Sequence, residues 1–158
     1  MAGSSAAHIR IVRNIASALP RRLTGTCENF GSDAKVRLKD SRKFYYPDAT
    51  IACDPVWSSE SDGVLDNPSV VFEVLSPSTQ MKDKGEKVDA YLALESVQAV
   101  VLVSSTHWLV EIYERQGKGT WLYEKVDGSE GVLKLPTVGV EVPLTELYDR
   151  VKVEPILK

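Results

Sequence analysis

Six residues, Val70-Val71-Phe72-Glu73-Val74-Leu75, constrain this chain more than any others. Five of the six are apolar, and valine dominates, so the segment reads as a strand covered on both faces, as central strands of layered α/β sheets are. Residues 97–103 (Val-Gln-Ala-Val-Val-Leu-Val) read as a second buried strand. Between the two runs, Ser76-Pro77-Ser78-Thr79 breaks the first strand and offers helix caps. A helix is predicted over 82–94, with Val88, Tyr91, Leu92 and Ala93 supplying its apolar contacts.

The flanking sequence fits the same plan. Ile9, Val12, Ile15 and Leu19 recur at helical spacing, which predicts an amphipathic helix over 6–19, closed by Pro20 and followed by Arg21 and Arg22 at its negative end. Short strands are expected at 26–30 and 34–38 on either side of Gly31-Ser32, and a third at 46–53, with Pro47 near its start. Residues 54–68 are rich in Pro, Gly, Ser, Asp and Asn and read as one long loop. From Trp108 an antiparallel meander is expected, with strands at 109–113, 121–125 and 132–135 separated by Gly117-Lys118-Gly119 and Asp127-Gly128. Thr145 reads as the cap of a short last helix over 146–150. No internal repeat interrupts the chain, so 1–158 reads as one α/β domain with a mixed sheet.

Composition narrows the function classes. The chain is 43% hydrophobic and 26% charged, ordinary for a globular protein. No apolar run approaches the roughly 20 residues of a membrane helix. Residues 1–7 lack the basic start and apolar stretch of a secretory signal. Cys27 and Cys53 fit neither a zinc spacing nor a dense disulfide framework, so a reducing cytoplasm is the expected home. The net charge of −3 runs against a strong nucleic-acid footprint; positive charge is local, as in Lys82, Lys84 and Lys87.

Glu73 is the most informative position. A glutamate inside an apolar strand is costly to bury unless paired; a salt bridge or a strand end reaching solvent is the plain account. Asp48 adds a second carboxylate at the start of another expected strand. Side chains alternate along strands, so Asp48 and Glu73 can share a face if their strands are neighbours. Two adjoining carboxylates repel unless a cation lies between them, and Mg²⁺ accepts a few carboxylates while keeping several waters. Asp83, Lys87 and Tyr91 follow at i, i+4 and i+8 along one helix face. Packed on the sheet, Lys87 could stabilise phosphoryl charge; as a surface partner of Asp83 it contributes about 0.3–0.5 kcal/mol.

In this order the residues resemble a known family. Tyr45-Tyr46-Pro47-Asp48, then Asn67 through Thr79, then Asp83-Lys84-Gly85-Glu86-Lys87 with Tyr91, look like the Uma family of putative restriction endonucleases. The resemblance continues through Val100–Ser104, Val110-Glu111-Ile112-Tyr113 and Leu135-Pro136-Thr137-Val138-Gly139, nearly the whole chain. It implies a restriction-endonuclease-like mixed sheet flanked by helices, with Asp48 and Glu73 as metal ligands. In the PD-(D/E)xK nuclease superfamily, which the resemblance implies, a lysine usually stands two residues after the second acid; here that position is Leu75, and the resemblance assigns the role to Lys87. Asp33 matches a recurrent family acid and is expected to support the site, as are Asp83 and Tyr91; His8 matches the family's histidine on the first helix. Relative to the family the chain reads as N-terminally shortened, without a Glu-Tyr-x-Asp-Gly-Glu-like stretch whose acid could serve the site.

The resulting expectation is a Mg²⁺- or Mn²⁺-dependent endonuclease acting on DNA, a homodimer because duplex DNA has two strands, with no membrane association and no small-molecule cofactor. The alternative is a non-catalytic nucleic-acid-binding or assembly protein that kept the nuclease fold. A small-molecule hydrolase lacks support, since neither His8 nor His107 has a recognisable nucleophile context.

Overall fold

Ser5 opens the first helix by accepting the His8 N–H at 3.1 Å, the usual N-cap service to an orphan donor. That helix, α1, runs Ala6–Ala18 in the computed structural model, which describes residues 4–77 and 83–157. Ile11, Asn14, Ile15 and Ala18 form its buried stripe. Beyond its end, Arg22 donates to the Ala18 carbonyl at 2.9 Å, a cation on the carbonyl end of the helix.

Seven strands follow: β1 (Cys27–Gly31), β2 (Lys35–Arg37), β3 (Phe44–Tyr45), β4 (Ala49–Cys53), β5 (Trp57–Ser59), β6 (Val64–Leu65) and β7 (Val70–Leu75). A π-helical turn, Asp83–Lys87, leads into α2 (Val88–Leu92). Then come β8 (Ala99–Ser104), β9 (Leu109–Gly117), β10 (Thr120–Asp127), β11 (Val132–Leu135), β12 (Val140–Pro143) and α3 (Leu144–Leu147).

The main sheet has the order β1-β4-β7-β8-β9-β10. Only β7 and β8 pair in parallel, joined by the crossover through α2; the other pairs are antiparallel, so the sheet is mixed. The fold class expected from the sequence is the one observed. All six residues of β7 are buried. Val70, Phe72 and Val74 face a layer built from α1, β11, β12 and α3, while Val71 and Leu75 face Val88 and Tyr91. Glu73 therefore points to the α2 side, by strict alternation.

Several local expectations need correction. Strand β1 joins β4 in the main sheet, and β2 joins a second, four-stranded sheet ordered β3-β2-β6-β5. The stretch 54–68 is consequently not one loop, because β5 and β6 lie within it. Strand β11 leaves the meander and pairs with β12, which buries Val140 and Val142 on one side. The last helix begins at Leu144 with Pro143 at its cap, not at Thr145. The helix expected over 82–94 is a π-turn and a five-residue α-helix.

Cys27 and Cys53 stand opposite each other in the β1–β4 register and form a disulfide. The spacing of the two cysteines gave no sign of this bond, and the argument for a reducing compartment loses the support it drew from them. Among the described residues, no helix is long and apolar enough to cross a membrane.

Candidate active site

The site forms where β4 peels away from β7. Ala49 pairs with Phe72, Thr50 with Val71 and Ile51 with Val70. Continued by one residue, that register sets Asp48 opposite Glu73; continued by two, it sets Val74 opposite Pro47. Proline has no N–H to donate, so the ladder ends there. The Val74 N–H donates to the Asp48 side chain, at 2.7 Å from Oδ2. A backbone donor of the central strand thereby fixes one carboxylate beside the other.

Two further groups hold these acids. His8, at the start of α1, places Nε2 at 3.3 Å from Asp48 Oδ1. Its hydrogen bond to Asp48 raises the imidazole pKa above the ordinary value, burial opposes this, and the Asp48 and Glu73 charges add to the rise. Glu73 is 4% exposed and accepts the Tyr91 hydroxyl at 2.6 Å on Oε1. Burial, with the Glu73 charge next, pushes the Tyr91 phenol far above its usual range, so it is a permanent donor.

Lys87 Nζ lies 3.7 Å from the same Oε1. It also stands 5.7 Å from the centre of the Tyr45 ring, which packs edge-on against Tyr91 at 5.6 Å. The cation is thus held between a buried carboxylate and an aromatic face. Asp48, Glu73 and Lys87, singled out in the sequence, are brought together, and Tyr91 joins them as a hydrogen-bond donor while its ring packs in the smaller core.

Two expected supporting residues behave differently. Asp33 is exposed in the turn between β1 and β2 and lines a separate surface pocket with Phe30, Trp57, Glu60 and Gly63. No group of three His, Cys, Asp or Glu side chains that could hold a metal occurs among the described residues, so Asp33 does not complete one with Asp48 and Glu73. Asp83 opens the π-turn; its side chain lies outside the described residues, as do Ser78 and Thr79 of the quoted motif.

Three neighbours escaped notice as site residues: His8, Tyr45 and Glu111. His8 had a signal, its match to the family histidine, but nothing in helical periodicity says that the first turn of α1 reaches Asp48. Tyr45 sits in a two-residue strand with no usable period. Glu111 alternates with Val110 and Ile112 and reads as an outward polar position, yet it is 3% exposed.

Comparison with known proteins agrees with this architecture. A crystal structure described as a putative nuclease belonging to DUF820, from Anabaena variabilis, superposes with a TM-score of 0.71, covering 92% of this chain and 82% of that chain at 17% identity. At that identity the likeness speaks for the fold. Two uncharacterized proteins of Synechocystis sp., slr1290 and sll1609, are each 31% identical, over 149 and 136 residues; the alignments cover 94% and 85% of this chain and 77% of each relative. The family Uma2, described as "Putative restriction endonuclease", matches residues 1–145, and the chain belongs to that family.

Proposed function

We propose that this protein is a divalent-metal-dependent nuclease that hydrolyses phosphodiester bonds in DNA, with Asp48 and Glu73 as the metal-holding carboxylates. The observation that carries the reading is that Asp48, one residue beyond the β4–β7 register, accepts the backbone N–H of Val74, the residue next to Glu73 on the central strand. Their chemistry fits Mg²⁺ or Mn²⁺, which take hard oxygen donors and retain waters in the remaining positions. When bound, such an ion supplies positive charge to a phosphoryl oxygen and lowers the pKa of water.

The chain's own residues do the rest. Val74 N–H and His8 orient Asp48 before any ligand arrives. Tyr91 fixes Oε1 of Glu73, so the plane of that carboxylate is set in advance. Lys87 brings a cation to the same edge, where it stabilises the charge that builds on the phosphoryl group. Duplex DNA presents two strands, so a homodimer is the working assembly in this reading.

A second reading, a non-catalytic nucleic-acid-binding or assembly protein, draws on one observation: Glu73 already receives Tyr91 and Lys87, as a purely structural buried acid would. Cleavage of plasmid and single-stranded DNA with Mg²⁺ or Mn²⁺ separates the two. The nuclease reading expects cleavage by wild type, none by Glu73→Gln, and a loss of about 10²–10³ in rate for Lys87→Ala with metal affinity retained. Equal cleavage by wild type and Lys87→Ala removes Lys87 from the mechanism, and no cleavage by wild type favours the non-catalytic reading.

A further inference from the structure

The row of residues that contains Glu73 contains a second buried carboxylate. Glu73 pairs with Leu102 on β8, and Leu102 pairs with Glu111 on β9. Residues directly opposite in a ladder share a face, so both acids look toward the π-turn and α2. Two strand spacings separate them, about 10 Å, too far for Glu111 to share an ion with Asp48 and Glu73.

The two acids are served in the same way. Glu73 receives Tyr91 and Lys87; Glu111 receives Tyr123, at 2.5 Å on Oε2, and Lys84, at 2.9 Å on Oε1. Lys84 and Lys87 both belong to the five-residue turn Asp83-Lys84-Gly85-Glu86-Lys87. A single π-turn with a central glycine has little intrinsic stability, so its placement over the sheet depends on what its side chains grip. Among the described residues, the Lys84 and Lys87 ion pairs both end on buried carboxylates of one sheet row. Burying Glu111 is costly without its cation and its phenol, and the structure meets that cost at a place the proposed chemistry does not touch.

We infer that Glu111 is a positioning residue: through Lys84 it pins the 83–87 turn to the sheet and so holds Lys87 over Glu73. The inference rests on the nuclease reading for its effect on rate, but not for its structural content. Preorganised groups lose effect when displaced by an ångström or so, even by a change remote from the chemistry. Releasing the Lys84 anchor therefore costs turnover more than affinity for substrate.

Lys84→Met tests this, since Lys84 is partly exposed and its methylene stem is retained. Lys84→Arg keeps the ion pair and serves as the conservative control. Two readouts are taken on the same full-length samples: metal-dependent DNA cleavage, split into kcat and KM, and amide hydrogen exchange across 83–88 with the NMR shift of the Lys87 side chain. Expected for Lys84→Met are a fall in kcat of about 10- to 100-fold with little change in KM, faster exchange in 83–88 and a displaced Lys87 signal; Lys84→Arg stays near wild type in all. Glu111→Gln should reproduce the methionine result. Unchanged exchange and Lys87 shift in Lys84→Met overturn the inference whatever the activity. A wild type that cleaves nothing counts against the nuclease reading alone, and the exchange and shift data then decide the positioning role by themselves.

Discussion

Tyr91 donates its hydroxyl to Oε1 of Glu73 at 2.6 Å, joining α2 to the middle of the central strand with both partners buried. A buried carboxylate in β7 is tolerable because this phenol and the Lys87 ammonium meet it. Tyr91 is therefore both a wall of the smaller core and part of the site.

Removing only the hydroxyl isolates the second role. Tyr91→Phe keeps the ring and its edge-on contact with Tyr45 but takes one donor from a buried charge. The expected loss of stability is about 1.5–3 kcal/mol, the range for hydrogen bonds to charged groups. Urea unfolding checks it; a change below about 0.5 kcal/mol would mean that the hydroxyl contributes nothing beyond packing.

The disulfide carries a prediction of its own. Cys27 and Cys53 close a loop across a sequence separation of 26, and reduction restores that freedom to the unfolded chain. Chain-entropy reasoning puts the loss at about 3.5 kcal/mol. Comparing urea midpoints with and without reductant measures it, and Cys27→Ser with Cys53→Ser should reproduce the reduced value. Because the bond ties edge strand β1 to β4, reduction should loosen 27–31 before the central strands, as amide exchange can show.

A third prediction concerns acid. Arg22 hydrogen-bonds Glu146 through both terminal nitrogens, and Arg21 adds a second ion pair; these hold the Glu146 pKa below its ordinary 4.5, against burial, which raises it. A depressed folded-state pKa contributes stability that is present above the unfolded value and lost as pH falls through the folded one. Glu146→Gln should thus be less stable than wild type at neutral pH, with the gap closing below about pH 4. A gap of constant size down to the acid transition would show that the carboxylate charge plays no part.

How much of this was legible depends on the length over which a pattern acts. The run 70–75 declared a doubly covered strand by composition, and helix α1 declared itself over more than three turns. Asp48 and Glu73 were readable as a pair because alternation along strands needs only neighbourhood to bring them together. Strands β3, β5 and β6, of two or three residues, offer no period to detect, so β5 and β6 were read as loop and β3 was not recognised, although β2 of the same sheet was. The disulfide depends on β1 pairing with β4 across 26 residues, a choice made by tertiary packing rather than by local spacing. Glu111 reads as solvent-facing until the 83–87 turn covers its side of the sheet, and His8 matters only because the first turn of α1 reaches Asp48.

The central claim is that Asp48 and Glu73 jointly hold a divalent cation, and metal-dependent thermal stability tests it most directly. An ion that binds only the folded state raises its stability by about 2.7 kcal/mol at a concentration one hundred times its dissociation constant. Titrating Mn²⁺ into wild type should raise Tm progressively toward that scale. Glu73→Gln and Asp48→Asn, each nearly isosteric, should abolish the response. A rise of equal size in wild type and both variants, or none in wild type at millimolar Mn²⁺, would contradict the account.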